Sequence, residues 1–390
     1  PSNRNYAQTL GGNILGKLGV GVIGCGNISI AYMRLAPLFN AIEMRACADI
    51  NMASAENLAA EFGVRAETVN ELLQADDIDI VVNLTIPATH FEVSRKVLDA
   101  GKHVYSEKPF VLNLEDGKEL ANIANQKGLR VGSAPDTFLG GAHQLARRLI
   151  DEDAIGQISS GTCFVQGPGM EMWHPNPDFF FQPGGGPILD LGPYYISNLV
   201  QLLGPVARVC AMSSQGSDYR TITSEPRFGE KIKVETPTTS HSILQFHNGA
   251  QITYCASWDV WEHSHTNIEL YGQKGTLHIP DPNFFGGEIR MTQKSAFVNA
   301  EGWKHPLGIP NDEDGKGTPI ANYRCAGLAD MAQAIKTDRD HRCSLEFSLH
   351  VVDVMTSILR SGEEQKFIEI ETTCKRPEFL GVQEANGLLA

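Results

Sequence analysis

The segment 107–109 places a carboxylate and an amine directly before a proline. Proline disfavours the helical conformation of the preceding residue, so the side chain of Lys108 is held at a fixed angle from an extended backbone. A partly desolvated lysine beside a cationic group has its charged form disfavoured, which suits it to exchange a proton with a substrate hydroxyl. The alternative is an ordinary lysine in a surface loop. We interpret Lys108 as a catalytic residue.

A second group of reactive side chains follows three consecutive glycines in the segment 184–195. If a helix begins at Pro187, Asp190 and Tyr194 lie four residues apart on one face, where a carboxylate and a phenol could reach one hydroxyl. Pro193 removes a helical hydrogen bond, and a helix that begins there instead leaves Asp190 in the preceding turn. A further alternative is a helix start with a charge-complementing acid and core tyrosines.

The segment 170–181 is rich in aromatic residues and prolines and lies directly before these glycines. Aromatic rings stack on the faces of sugars, and prolines stiffen a loop that presents them. We therefore interpret Trp173 and His174 as substrate-binding residues. An aromatic plug in an ordinary core is the alternative.

A metal site is not predicted. His263 and His265 lie on the same side of an extended segment, which permits a metal, but no third ligand is in view and we interpret both as structural. The eight cysteines are dispersed without a C-x-x-C pair, which indicates reduced thiols and a cytoplasmic location.

The segment 19–29 has the pattern of a phosphate-binding turn. An apolar β-branched run ends in Gly24 and Gly26, and a helical pattern follows. Gly26 lets the backbone approach a pyrophosphate without a Cβ, and Ser29 occupies the third small position. Asp49 comes about 20 residues later, after a second apolar run, where its carboxylate would accept hydrogen bonds from a ribose. Together these features predict dinucleotide binding.

Strand and helix patterns alternate through residues 18–136, which predicts an α/β domain with a doubly wound parallel sheet. Ligands of such sheets lie beyond the carboxyl ends of the strands. Because the segments 83–90 and 106–109 each follow a predicted strand, both are expected on that side. We therefore predict a nucleotide-binding domain over residues 1–136, of which 1–17 form a flexible arm or a dimer contact.

The pattern changes after residue 136, and residues 137–390 are predicted to form an α+β domain for substrate binding and oligomerisation. Six strand-like runs between residues 158 and 279, several joined by short glycine-containing turns, predict a large, mostly antiparallel sheet. Helices are expected at 323–336 and 346–361. Loops are expected at 214–237 and 306–319.

The net charge of −14 argues against nucleic acids and anionic membranes as partners, because the chain has no basic stripe that could neutralise phosphates. No apolar run reaches the length of a membrane span, and the first 17 residues do not have the pattern of an export signal.

The chain resembles the Gfo/Idh/MocA family of oxidoreductases over nearly its whole length. The resemblance rests on Gly24-Cys25-Gly26-Asn27-Ile28, Asp49, Thr85-Ile86-Pro87 with His90, Glu107-Lys108-Pro109 and the segment that ends at Tyr194. Many members have histidine where this chain has Tyr194. The resemblance implies an N-terminal Rossmann sheet, with Lys108 and Tyr194 near the reacting oxygen, Asp190 orienting the substrate, and Pro87, His90 and Glu107 near the cofactor.

These features predict a dehydrogenase or reductase that acts on a secondary hydroxyl or ketone of a sugar, glycoside or polyol. Asp49 favours NAD over NADP, although Arg45 and Asn51 lie close by in the sequence. The resemblance implies a homodimer or homotetramer. The alternatives are an NAD-requiring glycosidase that uses transient oxidation and a non-enzymatic NAD-binding sugar sensor.

Overall fold

The computed structural model describes residues 16–293, 296–299 and 303–390, so nearly all of the predicted N-terminal arm lies outside the described residues. The first part of the chain forms one six-stranded sheet with helices on its faces. Its strands are β1 (Leu18–Ile23), β2 (Ile42–Ala48), β3 (Arg65–Ala66), β4 (Ile80–Asn83), β5 (His103–Ser106) and β6 (Val131–Ser133). Its helices are α1 (Asn27–Leu35), α2 (Met52–Phe62), α3 (Val69–Gln74), α4 (His90–Asp99) and α5 (Leu114–Lys127).

This sheet has the strand order β3-β2-β1-β4-β5-β6, and all of its strand pairs are parallel, which confirms the predicted Rossmann sheet. All four residues of β4 are buried, as expected for a strand covered on both faces. The strand order reverses between β1 and β4, and in such sheets the ligand crevice lies at this reversal. The segments that follow β1, β4 and β5 therefore meet at one edge.

The second part of the chain is built around a nine-stranded sheet. The strands of this part are β7 (Ile158–Gln166), β8 (Val206–Ser214), β9 (Tyr219–Thr221), β10 (Lys231–Lys233), β11 (Thr239–Phe246), β12 (Gln251–Ser257), β13 (Ile268–Gly272), β14 (Thr276–Ile279), β15 (Arg290–Gln293), β16 (Ala296–Asn299), β17 (Asp312–Glu313), β18 (Pro319–Ile320) and β19 (Ile368–Glu369). Its helices are α6 (Gly141–Asp151), α7 (Pro187–Leu203), α8 (Ala326–Thr337), α9 (Leu345–Glu364) and α10 (Val382–Leu388).

The large sheet has the order β16-β15-β14-β13-β7-β12-β11-β8-β19. Among the described strand pairs of this sheet, only β7 and β12 are parallel, so the prediction of a mostly antiparallel sheet is confirmed. The prediction of plain loops is wrong in two places. Residues 214–237 contain the strands β9 and β10, which form a small antiparallel pair. Residues 306–319 contain the strand β17 and the first residue of β18, which also pair with each other.

One continuous apolar core runs through both parts of the molecule. The long helix α9 packs against α5 of the first part and against α7 and β8 of the second. Isolated β-bridges also join Phe39 to Leu389 and Gly132 to Ser344. Within the described ranges, no helix combines the length and the apolar character that a bilayer crossing requires.

Candidate active site

The glycine turn after β1 leaves open space in front of α1. Gly24 has φ = 103°, and a Cβ there would lie 2.6 Å from the carbonyl carbon of Leu84, so only glycine fits. Gly26 is the N-cap residue of α1, and a Cβ added to it would meet nothing within 4 Å. Because a glycine cap has no side chain, the first N–H groups of the helix have no side-chain acceptor from the cap residue. The turn therefore fits a phosphate group.

Asn27 and Ile28 form the first turn of α1, the former exposed and the latter half-buried. Ser29 is fully buried, and its hydroxyl donates a hydrogen bond of 2.6 Å to the Gly26 carbonyl. The third small position of the motif thus packs the helix closely against the sheet.

The carboxylate of Asp49 is fixed at the edge of this turn. One oxygen accepts a hydrogen bond from the backbone N–H of Cys25 and the other from that of Asn51, each at 2.8 Å. Each carboxylate oxygen keeps a free lone pair for a further donor such as a ribose hydroxyl. Arg45 is engaged elsewhere, with Glu43 and the carbonyl of Asp77.

The segment after β4 is held by a fully buried amide. The Asn83 side chain donates to the His90 carbonyl and the Ser94 hydroxyl, both at 3.0 Å. Its oxygen accepts hydrogen bonds from the backbone and the hydroxyl of Thr85. Pro87 begins a short 3₁₀ turn directly afterwards. The backbone of this segment is therefore fixed beside the glycine turn.

The buried imidazole of His90 ties this segment to the one after β5. Its Nδ1 lies 2.7 Å from the Pro109 carbonyl oxygen and its Nε2 lies 2.9 Å from that of Thr85. Burial lowers the pKa of His90, and this effect outweighs the two carbonyl oxygens, which favour the charged ring. His90 thus lies behind the cleft as a brace between the two segments.

Lys108 meets the second part of the molecule across the cleft. Its ammonium nitrogen lies 2.7 Å from Oδ1 and 2.9 Å from the carbonyl oxygen of Asp190, and 5.2 Å from the centre of the Tyr194 ring. The preceding Glu107 accepts hydrogen bonds from the Tyr32 hydroxyl and from the N–H of Lys108 itself. The amine and the phenol therefore face each other.

Among the protein's own groups, the balance of effects favours the charged form of Lys108. Desolvation lowers the pKa of Lys108, but the nearby Asp190, together with Tyr194 and Glu107, outweighs it and the net pKa is raised. Lys108 is therefore a firmly held cation and a hydrogen-bond donor.

Helix α7 positions both Asp190 and Tyr194. It begins at Pro187, after Gly186 with φ = 88°, and continues through Pro193, so the alternative start at Pro193 is wrong. The two side chains lie one turn apart on the face toward Lys108, as the spacing predicts.

The aromatic segment before α7 has an exposed part at Trp173 and a buried part at Phe180 and Phe181. Trp173 is 64% exposed and its ring contacts His174 edge-on. Burial lowers the pKa of His174, and the charge of Asp190 is near enough to oppose that effect. Phe180 and Phe181 pack against Trp258 in a small separate core. Phe180 and Phe181 therefore form an aromatic plug, while substrate binding by Trp173 and His174 stays a prediction.

The two exposed histidines at 263 and 265 belong to a stack of rings. The rings of Phe164 and His265 stack with centres 4.0 Å apart, and the ring of His263 stacks on His265.

Sequence analysis missed Arg324, which lies just before α8. Its guanidinium donates to the side-chain oxygens of Asn322 and Asn283 at 3.2 and 3.3 Å. Burial lowers the pKa of Arg324, but the phenol of Tyr194, with Asp136 and Glu107, outweighs it and the pKa is raised. No motif marks Arg324, and it lies far from α7 in the sequence, so only the fold reveals it.

A Rossmann sheet with a phosphate turn, facing a lysine, an aspartate and a tyrosine, defines an NAD-binding oxidoreductase. Residues 18–134 match the model of an oxidoreductase family with an NAD-binding Rossmann fold, and residues 143–278 match the GFO/IDH/MocA C-terminal domain. The chain belongs to the Gfo/Idh/MocA family of oxidoreductases.

Two proteins are similar to this chain in sequence, and one solved structure is similar to it in fold. A dTDP-3,4-didehydro-2,6-dideoxy-alpha-D-glucose 3-reductase of Saccharopolyspora spinosa is 31% identical over 67% of this chain and 74% of its own length. A D-xylose dehydrogenase of Paenarthrobacter nicotinovorans is 26% identical over 75% of this chain and 77% of its own. The fold is similar to a levoglucosan dehydrogenase in complex with NADH and L-sorbose, with a TM-score of 0.77, 21% identity, and coverage of 92% and 100% of the two chains.

Proposed function

We propose that this protein is an NAD-dependent dehydrogenase or reductase that acts on a secondary hydroxyl or ketone of a sugar, glycoside or polyol. The observation that carries the proposal is the meeting of Lys108 with Asp190 and Tyr194, from the other side of the cleft, at the carboxyl edge of the Rossmann sheet. The relatives support a carbohydrate substrate, since they include a sugar-nucleotide reductase and a xylose dehydrogenase.

The residues around the crevice fit a nicotinamide dinucleotide. The open space at Gly26 and the carboxylate of Asp49 suit a pyrophosphate and a ribose. A bound nicotinamide would supply the hydride acceptor or donor that the side chains themselves lack. We assign its binding to Gly24, Gly26, Asn27, Ile28, Asp49, Thr85, Pro87, Glu107 and Lys108, with His90 as the brace behind them.

The charged Lys108 acts as a donor to the substrate oxygen and stabilises negative charge that develops there. In the reducing direction the Tyr194 hydroxyl donates the proton that a carbonyl oxygen needs, and oxidation reverses this step. Asp190 orients Lys108 and binds a neighbouring substrate hydroxyl, while Trp173 and His174 form the rim that contacts the sugar. These roles account for a lysine that the protein keeps charged.

The cofactor is expected to be NAD rather than NADP, because a 2′-phosphate would meet the Asp49 carboxylate. Arg45, the basic residue near in sequence, is engaged with Glu43 and Asp77. The cytoplasmic location and the homodimer or homotetramer remain predictions from the sequence.

The first prediction tests Lys108. We expect Lys108→Met to lower kcat/KM by about 100-fold or more, because the donor to the reacting oxygen is lost. The measurement is the absorbance of reduced cofactor in a screen of monosaccharides, inositols and glycosides. Lys96→Met, an exposed change on α4, is the control.

Turnover near wild type in Lys108→Met would reject the assigned role. NAD binding without turnover of any sugar would instead support the sensor alternative.

A further inference from the structure

Arg324 is half-buried, and its partners differ from those of Arg220 and Arg342, two other arginines of low exposure. Arg220 pairs with Glu171 and Asp259, and Arg342 pairs with Asp330 and Glu384. Arg324 makes no ion pair with any described carboxylate. Its guanidinium donates to the neutral amide oxygens of Asn322 and Asn283, and it also lies within hydrogen-bonding reach of the Tyr194 hydroxyl. Its charge is therefore held in place without a counter-charge in contact.

The side-chain amide of Asn322 and the backbone of Asn283 are themselves held, which limits where the guanidinium can lie. The Asn322 side chain also donates to Asp312 at 2.8 Å, and the backbone of Asn283 donates to Asp281 at 2.9 Å. A guanidinium has five N–H donors; the two amide oxygens take two of them and the Tyr194 hydroxyl takes a third, which leaves two for a ligand. Arg324 is therefore a half-buried cation that keeps spare donors beside the Tyr194 phenol. Such a cation suits a binding site in which the ligand supplies the negative charge.

The nearest acids are engaged with other donors. One oxygen of Asp136 accepts the N–H groups of Cys325 and Gly327, and Glu107 accepts the hydroxyl of Tyr32. These acids, with Asp190, make the surroundings of the cleft acidic, which disfavours a dianion such as a phosphate monoester. A planar carboxylate carries one charge and matches the planar guanidinium in two parallel hydrogen bonds.

We propose that Arg324 binds a carboxylate of the substrate, so that the protein acts on an acidic sugar such as a uronate or an aldonate. The reacting hydroxyl then lies at Lys108 and Tyr194, and the carboxylate lies on the far side of the same phenol. This inference rests on the proposed dehydrogenase function and names its substrate class.

The test compares matched neutral and acidic sugars, with D-glucose against D-glucuronate and D-galactose against D-galacturonate. Glucose 6-phosphate is included to test a sugar that carries two negative charges. In wild type we expect kcat/KM with NAD to favour the acid of at least one pair by about 10- to 100-fold. Arg324→Met should abolish this preference, and Arg324→Lys should keep part of it. Arg95→Met, which removes an exposed cation of α4, should leave it unchanged.

Calorimetric binding of the same sugars to the NADH-loaded protein gives a readout that needs no turnover. Equal binding and equal turnover of neutral and acidic sugars by wild type would overturn the inference, as would a preference that survives in Arg324→Met. Preference for glucose 6-phosphate over both acids would overturn the choice of a carboxylate.

If Arg324→Met fails to fold, wild type alone provides the test. Its kcat/KM should favour the acidic sugar over the neutral one, and this preference should decrease at high ionic strength. The proposed dehydrogenase function fails separately, when acidic sugars bind but no sugar reduces NAD.

Discussion

The charge of Lys108 is set by a residue 82 positions away in the sequence. Asp190 contacts the ammonium directly, and for this reason we propose the lysine as a fixed cation and the phenol of Tyr194 as the group that moves a proton. The side-chain exposure of the pair, 17% and 16%, leaves enough access for a substrate oxygen to join them. The proposed division of roles rests on this contact.

The second prediction concerns the choice of cofactor. We expect Asp49→Asn to lower the ratio of kcat/KM for NAD over NADP by about 10- to 100-fold, because the variant removes the charge that repels a 2′-phosphate. The amide oxygen still accepts one of the two backbone N–H groups that the carboxylate holds. Initial rates with each dinucleotide measure the ratio.

Glu61→Gln on α2 is the matched control, since it removes an exposed acid outside the crevice. An unchanged ratio in Asp49→Asn would contradict the assigned role of Asp49.

For single residues, the sequence predicts which side chains meet at the site, but it does not predict the charges that surround them. Local spacing on one helix predicts the shared face of Asp190 and Tyr194, since Pro187 and the glycines mark where that helix begins. The charge of Lys108 and the presence of Arg324 depend on contacts between distant segments, for which no local pattern exists.

Among the elements, α8 is held at its start by one buried carboxyl. Asp136 lies at the end of the first predicted domain, yet its Oδ2 accepts the N–H groups of Cys325 and Gly327 at 3.1 and 3.0 Å. Arg324 lies on the same turn, so this cap also positions the guanidinium. Burial raises the pKa of Asp136 from 3.8 to about 6, against the hydrogen bond from Gly327 and the charge of Arg324.

The third prediction follows from this shift. The folded chain holds the Asp136 proton more tightly than the unfolded chain, so the stability from this group is present below about pH 4 and is lost as the pH rises through about 6. Asp136→Asn keeps an acceptor but does not titrate. We expect the variant to gain up to about 3 kcal/mol in unfolding free energy relative to wild type between pH 4 and pH 7.

Urea unfolding at several pH values measures this difference. Asp76→Asn, at an exposed position, provides the control. A difference between Asp136→Asn and wild type that stays constant with pH would contradict the shift.

The elements that the sequence predicts well are the long or fully buried ones. The apolar run of β4 and the alternation of β11 each indicate their strand, because burial on two faces or on one leaves a distinct pattern. The strands β9 and β10 have three residues each, too few for a period to appear, and their pairing depends on the surrounding fold.

The molecule as a whole has a core that crosses the boundary between its two predicted domains. Apolar residues of the Rossmann sheet, of α7 and of α9 belong to the same buried cluster. The sequence indicates two domains from a change of pattern at residue 136 but does not show that their cores join. Because they join, we expect the protein to unfold in one cooperative step.

The last prediction uses this continuity to test cofactor binding at the glycine turn. A ligand that binds only the folded state, at a free concentration 100 times its Kd, raises the free energy of unfolding by about 2.7 kcal/mol. We expect NAD to raise the temperature of a single unfolding transition of the wild type by a few degrees. Gly26→Val should fold normally, because an added Cβ meets nothing within 4 Å, but its side chain would occupy the space in front of α1.

Gly26→Val should therefore match the wild-type transition without NAD and show no shift with it. Gly315→Val, at another position where an added Cβ meets nothing within 4 Å, should keep the full shift. Differential scanning calorimetry with and without NAD separates the cases. A full NAD shift in Gly26→Val would place the dinucleotide elsewhere, and a second transition unaffected by NAD would show that the two parts unfold separately despite their shared core.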